Sequence, residues 1–408
     1  MQFLNQKRVN ELHRNSRQGP FLLAATTTTQ ASSSFSTSSF KGKSKPSVSS
    51  SFNETPLARQ GSFLLEGLDV YSVPASGDGH PLAVYGIQSL EPKQFTRDIV
   101  DTMGHDHEEE RQKLRPILLL HGRTWSSVPV YHLHLQYGGD DNDEKESSAS
   151  AKEQSRSLME ALLEKGLQPY AMDFRGFGGT PSDETGFVEP NRCVEDTETV
   201  LRWIADRHGM ISATDCHKNA SSELLPALLG WSQGALIAQL VAQKTNPFLS
   251  KLVLYGSIYD PLVRYAREPL YARTESKPNI THVENTFDMA IEDFTIEGTI
   301  PPEPARKFAE ASLISDPIKA QWRHTYQFNN CDPARIHVPT LVIAGDQDPY
   351  APLHVQQELF TNLGRGSDRT WSILSNCDHA AHLLEGRSRL INIVVSFAQN
   401  GKRAEQRH

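Results

Sequence analysis

No run of about 18 apolar residues occurs anywhere in this 408-residue chain, which excludes a membrane-spanning helix. Cysteine is scarce. Cys193, Cys216, Cys331 and Cys377 stand far apart with no CxxC pair, which excludes a disulfide framework or a cysteine-rich zinc module. They read as isolated reduced thiols of an intracellular protein, cytoplasmic or organellar. A basic excess is also missing. Forty-one Lys and Arg face 49 Asp and Glu, and a net charge of −8 argues against a nucleic-acid partner. Hydrophobic residues make up only 38% and the mean hydropathy is −0.48, low for a compact enzyme. That deficit is local, because a few polar stretches dilute an otherwise ordinary globular sequence.

The first of these stretches is the N-terminus. Up to Phe52 it carries seven Lys and Arg against the single acid Glu11, and TTTTQASSSFSTSSFKGKSKPSVSSS is Ser/Thr-rich. Too few large apolar residues are present to offset the entropy of ordering it, so residues 1–60 read as a disordered tail. An Arg- and Ser-rich, acid-poor start also fits a mitochondrial or plastid transit peptide, and composition does not choose between the two. A charged insertion precedes PILLLHG, and its His105, Asp106 and His107 lack anything to fix them as metal ligands, so no metal is expected there. The acidic insertion GGDDNDEKESSASAKEQS (138–155) lacks a calcium-loop pattern and reads as a solvated excursion.

The remainder alternates. FLLEGLDVYSVPASGDGHPLAVYGIQS (63–89) holds two strand-like runs around Ser-Gly-Asp-Gly, the signature of an antiparallel hairpin. PILLLHG, LQPYAMDFRGFGGTP, LLPALLG, KLVLYGSIYD, TLVIAGDQD and RTWSILSNC then supply strand-like runs, separated by helical patterns such as SLMEALLEKG and VEDTETVLRWIADRHG. Such alternation signals a mainly parallel sheet covered on both faces. The segment 260–336 breaks the rhythm. FDMAIEDF, PARKFAEASLI and DPIKAQWRHTYQF look like short helices between prolines, which reads as a helical cap inserted between two core strands. The expected organisation is a tail (1–60), a first core part (61–259), a cap (260–336) and a second core part (337–400).

Gly230-Trp231-Ser232-Gln233-Gly234 fits G-x-S-x-G between an apolar run and the helical ALIAQLVAQ. At a sharp strand-to-helix turn, only small flanking residues avoid clashing, and the serine hydroxyl stands clear at a helix N-terminus. The bland alternative is an N-cap serine. A nucleophilic serine needs a base, and the base an orienting acid. Asp348 follows the strand-like TLVIAG, and His379 follows RTWSILSNC, so the order is Ser232, Asp348, His379. Asp346 and Asp260 compete for the acid, and His382 for the base.

These features together resemble the α/β-hydrolase superfamily over about residues 63–398. The resemblance rests on His121-Gly122 after an apolar strand, the turn Asp173-Phe174-Arg175-Gly176-Phe177-Gly178, the serine elbow, Gly345–Asp348 and His379. It implies a mostly parallel sheet of about eight strands with a cap after the sixth. It also implies that Ser232 attacks, His379 moves the proton and Asp348 orients the imidazole, without a cofactor. The backbone N–H groups of Gln233 and Arg123 would hold the oxyanion, His121 would brace that loop, and Arg175 would hold its turn.

The side chain of Arg123 fits either a carboxylate clamp or an ion pair, and Trp125 and Trp231 either line a substrate pocket or pack. Serine at the elbow excludes chemistry that needs an aspartate nucleophile there, and no HGGG-type loop is present. The expected partner is a small molecule. A small acyl ester or thioester leads, ahead of C–C bond hydrolysis or acyl transfer on the same residues. A small-molecule receptor with little turnover is the reading from another class. Cap aromatics such as Tyr265, Phe287, Phe294 and Trp322 fit a partly apolar substrate or the cap's own packing.

Overall fold

A computed structural model of the chain describes residues 63–87, 114–135, 155–210, 225–245, 247–257, 282–292, 294 and 296–399. The tail 1–60, His105, Asp106, His107, Cys216, Asp260, Tyr265 and all but the last residue of the insertion 138–155 lie outside the described residues.

The expected hairpin is formed by β1 (Leu68–Pro74) and β2 (Pro81–Ile87), antiparallel, with Leu68 opposite Ile87. Six further strands follow: β3 (Arg115–Leu120), β4 (Leu167–Met172), β5 (Ala227–Trp231), β6 (Lys251–Tyr255), β7 (Thr340–Gly345) and β8 (Arg369–Leu374). They form one eight-stranded sheet in the order β1-β2-β4-β3-β5-β6-β7-β8, and every pairing from β4 to β8 is parallel. This is the sheet the α/β-hydrolase resemblance leads one to expect. Strands β4 to β7 are buried residue after residue, which is why their sequences run apolar without alternation.

Eight helices cover or extend this sheet among the described residues: α1 (Ser127–Tyr131), α2 (Leu158–Glu164), α3 (Pro190–Arg207), α4 (Gln233–Ala242), α5 (Phe287–Ile291), α6 (Pro302–Ser315), α7 (Leu353–Asn362) and α8 (Arg387–Gln399). Successive strand residues point to opposite faces. Leu119, Leu229 and Val253 therefore join one apolar cluster with Leu162 of α2 and Val394 of α8. Leu118, Leu228 and Leu252 join the other with Leu201 of α3, Ile237 of α4 and Val355 of α7. Helix α3 begins four residues before the sequence pattern shows it, because Pro190 is favourable in a first turn.

Between β6 and β7 the described residues carry α5, α6 and two short 3-10 turns, and no strand of the sheet. One sequence expectation is corrected here. DPIKAQWRHTYQF is not a helix: only Thr325–Asn330 turns, in 3-10 form. Pro317 interrupts helical bonding, and the stretch before the turn makes bridges instead, Ile318 to Glu284 and Trp322 to Val188. Phe294 packs on Phe308, whose ring meets Trp125 edge-on at 6.4 Å. Trp322 lies against Phe174 and Phe177. Phe308 and Trp322 thus fasten the segment between β6 and β7 to the loops after β3 and β4, whereas Phe287 is exposed.

Candidate active site

The loops after β3, β4, β5, β6, β7 and β8 converge at the carboxyl ends of the strands, where open parallel sheets place their ligands. Ser232, between β5 and α4, has φ 57° and ψ −126°, a strained conformation for a residue with a side chain. The glycines on either side are obligatory for close approach. A Cβ on Gly230 would lie 2.4 Å from the Gly234 carbonyl oxygen, and one on Gly234 would lie 2.4 Å from that of His121. Thus positions 230 and 234 admit only glycine because the strand, the turn and the β3 loop touch there. Ser232 is nearly enclosed, with 6% of its surface exposed.

Asp348 Oδ2 lies 2.8 Å from His379 Nδ1, and both side chains are buried. The other oxygen of Asp348 accepts from the backbone N–H groups of Tyr350 and Ala351, each at 2.9 Å, which fixes the carboxylate. The imidazole of His379 is flanked by Trp231 and Tyr350, with ring centroids 5.2 and 5.0 Å away. Trp231 Nε1 also donates to the His379 carbonyl at 2.8 Å. Gly256, just after β6, has φ 51°, and a Cβ there would come within 3.2 Å of both Asp348 Oδ2 and His379 Nδ1. Sequence reasoning missed this glycine. The signal available was its place immediately after the strand KLVLY.

The competitors occupy other positions. Asp346 is exposed and accepts from the backbone N–H of Cys377 at 3.3 Å. His382 is fully buried, with Nδ1 3.0 Å from the Tyr255 hydroxyl, which also accepts from the His382 backbone N–H. Burial, reinforced by the neighbouring His379, pushes its pKa down to about 3, so it stays neutral. Asp260 lies outside the described residues.

The first N–H of α4, that of Gln233, has no intrahelical acceptor and sits at the positive end of the helix dipole. A Cβ on Gly122 would lie 3.1 Å from Ser232 Cβ, so the loop carrying Arg123 runs directly beside the serine. His121 is buried and pinned by two bonds: Nδ1 to the Gly122 carbonyl at 2.9 Å, and Nε2 accepting from Phe174 N–H at 3.1 Å. Burial lowers its pKa to about 3. The Arg123 guanidinium donates to Gln233 Oε1 at 3.0 Å, linking the two loops, and the Arg123 carbonyl accepts from Trp322 Nε1 at 3.1 Å. Trp125 is buried against Phe308, and Trp231 leans on Tyr255 as well as His379. Buried Arg175 pairs through Nε and Nη2 with both oxygens of Asp196 at 2.8 Å and also reaches Asp78, tying its turn to α3 and to the β1–β2 hairpin.

Two buried acids, Asp316 and Asp173, take roles that the sequence did not show. Asp316, just after α6, accepts from the N–H groups of Ser126 (2.7 Å) and Gly178 (2.9 Å). Asp173, after β4, accepts from the next residue in each loop, Ser127 (2.7 Å) and Gly179 (2.9 Å), and from the Tyr85 hydroxyl at 2.6 Å. Burial is the largest influence on both carboxyls. It raises Asp316 to about 7 and Asp173 to about 6, against the hydrogen bonds. A carboxyl raised on folding adds stability below its ordinary range, near 3.8, and that contribution is lost as pH rises through the folded value. The melting temperature is therefore expected to fall between about pH 4 and 7 more steeply in the wild type than in Asp316→Asn. A steeper fall in the variant would contradict this assignment; scanning calorimetry across that range measures it.

The family model described as serine aminopeptidase, S33, matches residues 150–385. No curated protein sequence matches the chain. Among solved structures, a malate-bound thermophilic esterase from Thermogutta terrifontis is 16% identical, with a TM-score of 0.47, over 80% of this chain and 96% of that one. A monoacylglycerol lipase from Paleococcus ferrophilus is 17% identical, with a TM-score of 0.43, over 69% and 93%. A meta-cleavage product hydrolase from Pseudomonas fluorescens is 16% identical, with a TM-score of 0.45, over 80% and 96%.

Proposed function

The chain belongs to the hydrolase family of serine aminopeptidase, S33, within the α/β-hydrolase superfamily, and from that premise we propose that it hydrolyses a small acyl ester or thioester through an acyl-enzyme on Ser232. The observation that carries this reading is the buried Asp348–His379 pair at 2.8 Å, set at the ends of the neighbouring strands β7 and β8 of the sheet whose strand β5 leads into a serine with positive φ.

In this reading, Asp348 holds the proton on His379 Nδ1, so Nε2 presents its lone pair. Ser232 Oγ attacks the carbonyl carbon while Nε2 takes its proton. The backbone N–H groups of Gln233 and Arg123 receive the oxyanion; such a donor contributes about 3–4 kcal/mol in the transition state. Collapse expels the alcohol or thiol, protonated by His379. A water, deprotonated by the same nitrogen, then attacks the acyl carbon and frees Ser232. The segment between β6 and β7 acts as a cap over this chemistry. Its attachment through Asp316 and Trp322 to the loops bearing Ser126, Gly178 and Arg123 supports that role.

Labelling with a fluorophosphonate probe followed by peptide mapping tests the nucleophile. Modification is expected on Ser232 and is expected to vanish in Ser232→Ala. Turnover is then read with chromogenic acyl esters, acyl thioesters and aminoacyl anilides. A label on another residue, or a single turnover followed by arrest, would overturn the proposal; the latter outcome fits a receptor.

A further inference from the structure

We propose that His132, His134 and Glu160 form a site for one divalent cation of the zinc class, away from Ser232. Among the described residues these three make up a cluster in which one nitrogen of each histidine and one carboxylate oxygen all lie within 4.8 Å of one another. The two imidazoles have centroids 4.4 Å apart, and His134 Nε2 is 3.2 Å from Glu160 Oε1.

The hydrogen bonds around His132 set its ring as they would for a ligand. Nε2 is 2.8 Å from the carbonyl of Glu66, an acceptor only, so Nε2 carries the proton and Nδ1 the lone pair. Metal-bound imidazoles are commonly fixed this way, by a carbonyl on the distal N–H. The lone pair on Nδ1 now faces the Ser157 hydroxyl at 3.0 Å. A cation would take over that partner, leaving Ser157 Oγ to its second role, accepting from the Glu160 N–H at the start of α2. Glu160 is held by the Ser155 hydroxyl on its other oxygen. Two imidazoles and one carboxylate suit zinc, which tolerates open positions filled by water, and suit magnesium or calcium poorly.

The competing account is an ordinary ion pair, His134 with Glu160, beside a buried hydrogen-bonded histidine. That ion pair involves only one of the two imidazoles, although the rings lie 4.4 Å apart. The position also gives a cation work to do. His134 bridges Ser155, so the two segments carrying these residues already meet. A cation shared by His132, His134 and Glu160 would tie residues 132–134 to the start of α2.

The test uses the full chain, stripped with chelator and titrated with zinc chloride by calorimetry. Single substitutions are placed at the partly exposed ligands, His134→Gln and Glu160→Gln, which spare the buried His132. The wild type is expected to bind one zinc more tightly than either variant by at least about 10-fold. Zinc should raise the wild-type melting temperature by on the order of 3 °C and leave both variants unmoved. Zinc binding of equal strength in wild type and both variants would overturn the proposal. So would full displacement by millimolar magnesium. Ester turnover is expected to be the same with and without zinc, so this site and the serine chemistry can fail separately.

Discussion

His379→Ala is expected to lower turnover of an acyl ester by about 10⁶-fold, the loss seen when the base of a comparable triad is removed. The size follows from the proposed mechanism, in which the base acts twice, on the serine proton and on the attacking water, with no neighbour among the described residues placed to replace it. His382 is the nearest imidazole in sequence, yet its Nδ1 is engaged by Tyr255 and burial disfavours its taking up a proton. His382→Ala should therefore leave the chemical step within about tenfold of wild type. It should cost stability instead, about 2–4 kcal/mol, because a buried ring and its bond to a buried hydroxyl are both lost. Single-turnover rates and urea midpoints for both variants decide the matter. A collapse of rate in His382→Ala with His379→Ala near wild type would exchange their roles.

Asp348→Asn is expected to reduce turnover by about 10⁴-fold with little change in melting temperature. The amide oxygen can still accept from Tyr350 and Ala351, so its NH₂ must face His379 Nδ1. That nitrogen then has to carry the lone pair, the proton moves to Nε2, and the base is lost through the wrong tautomer. Asp346→Asn keeps an oxygen for the Cys377 N–H and should stay within about threefold of wild type. If Asp260→Asn collapsed while Asp348→Asn did not, the acid would belong after the earlier strand. Single-turnover assays on the three variants separate these outcomes.

Much of this was legible in the chain because the relevant signals are local. Apolar runs marked the parallel strands β3 to β7, the more exposed β8 still read as a strand, and the glycines at 230 and 234 marked a turn that admits no Cβ at those two positions. The choice between Asp348 and Asp346 also rested on local spacing, and the structure puts Asp348 against His379. What stayed hidden depends on residues far apart in sequence. Asp316 meets Ser126 and Gly178 only once the segment after β6 folds back, and nothing near Asp316 announces those partners. Tyr255 and His382 meet by the same kind of long closure. The stretch 316–328 misled because its helical composition was outweighed by a proline and by isolated bridges to Glu284 and Val188.

The order in which the site's parts occur along the chain has a consequence for biosynthesis. Ser232 and the loops beside it emerge from the ribosome well before Asp348 and His379, which follow β7 and β8, the last strands of the sheet. Translation proceeds at about 5–20 residues per second, so the serine waits on the order of 10 s for its partners. Edge strand β8 must then zip onto β7 before the histidine is in place. On the proposed mechanism, a nascent chain released after Ser232 but before that strand carries an elbow without its base, and such partial products of synthesis are expected to be hydrolytically silent.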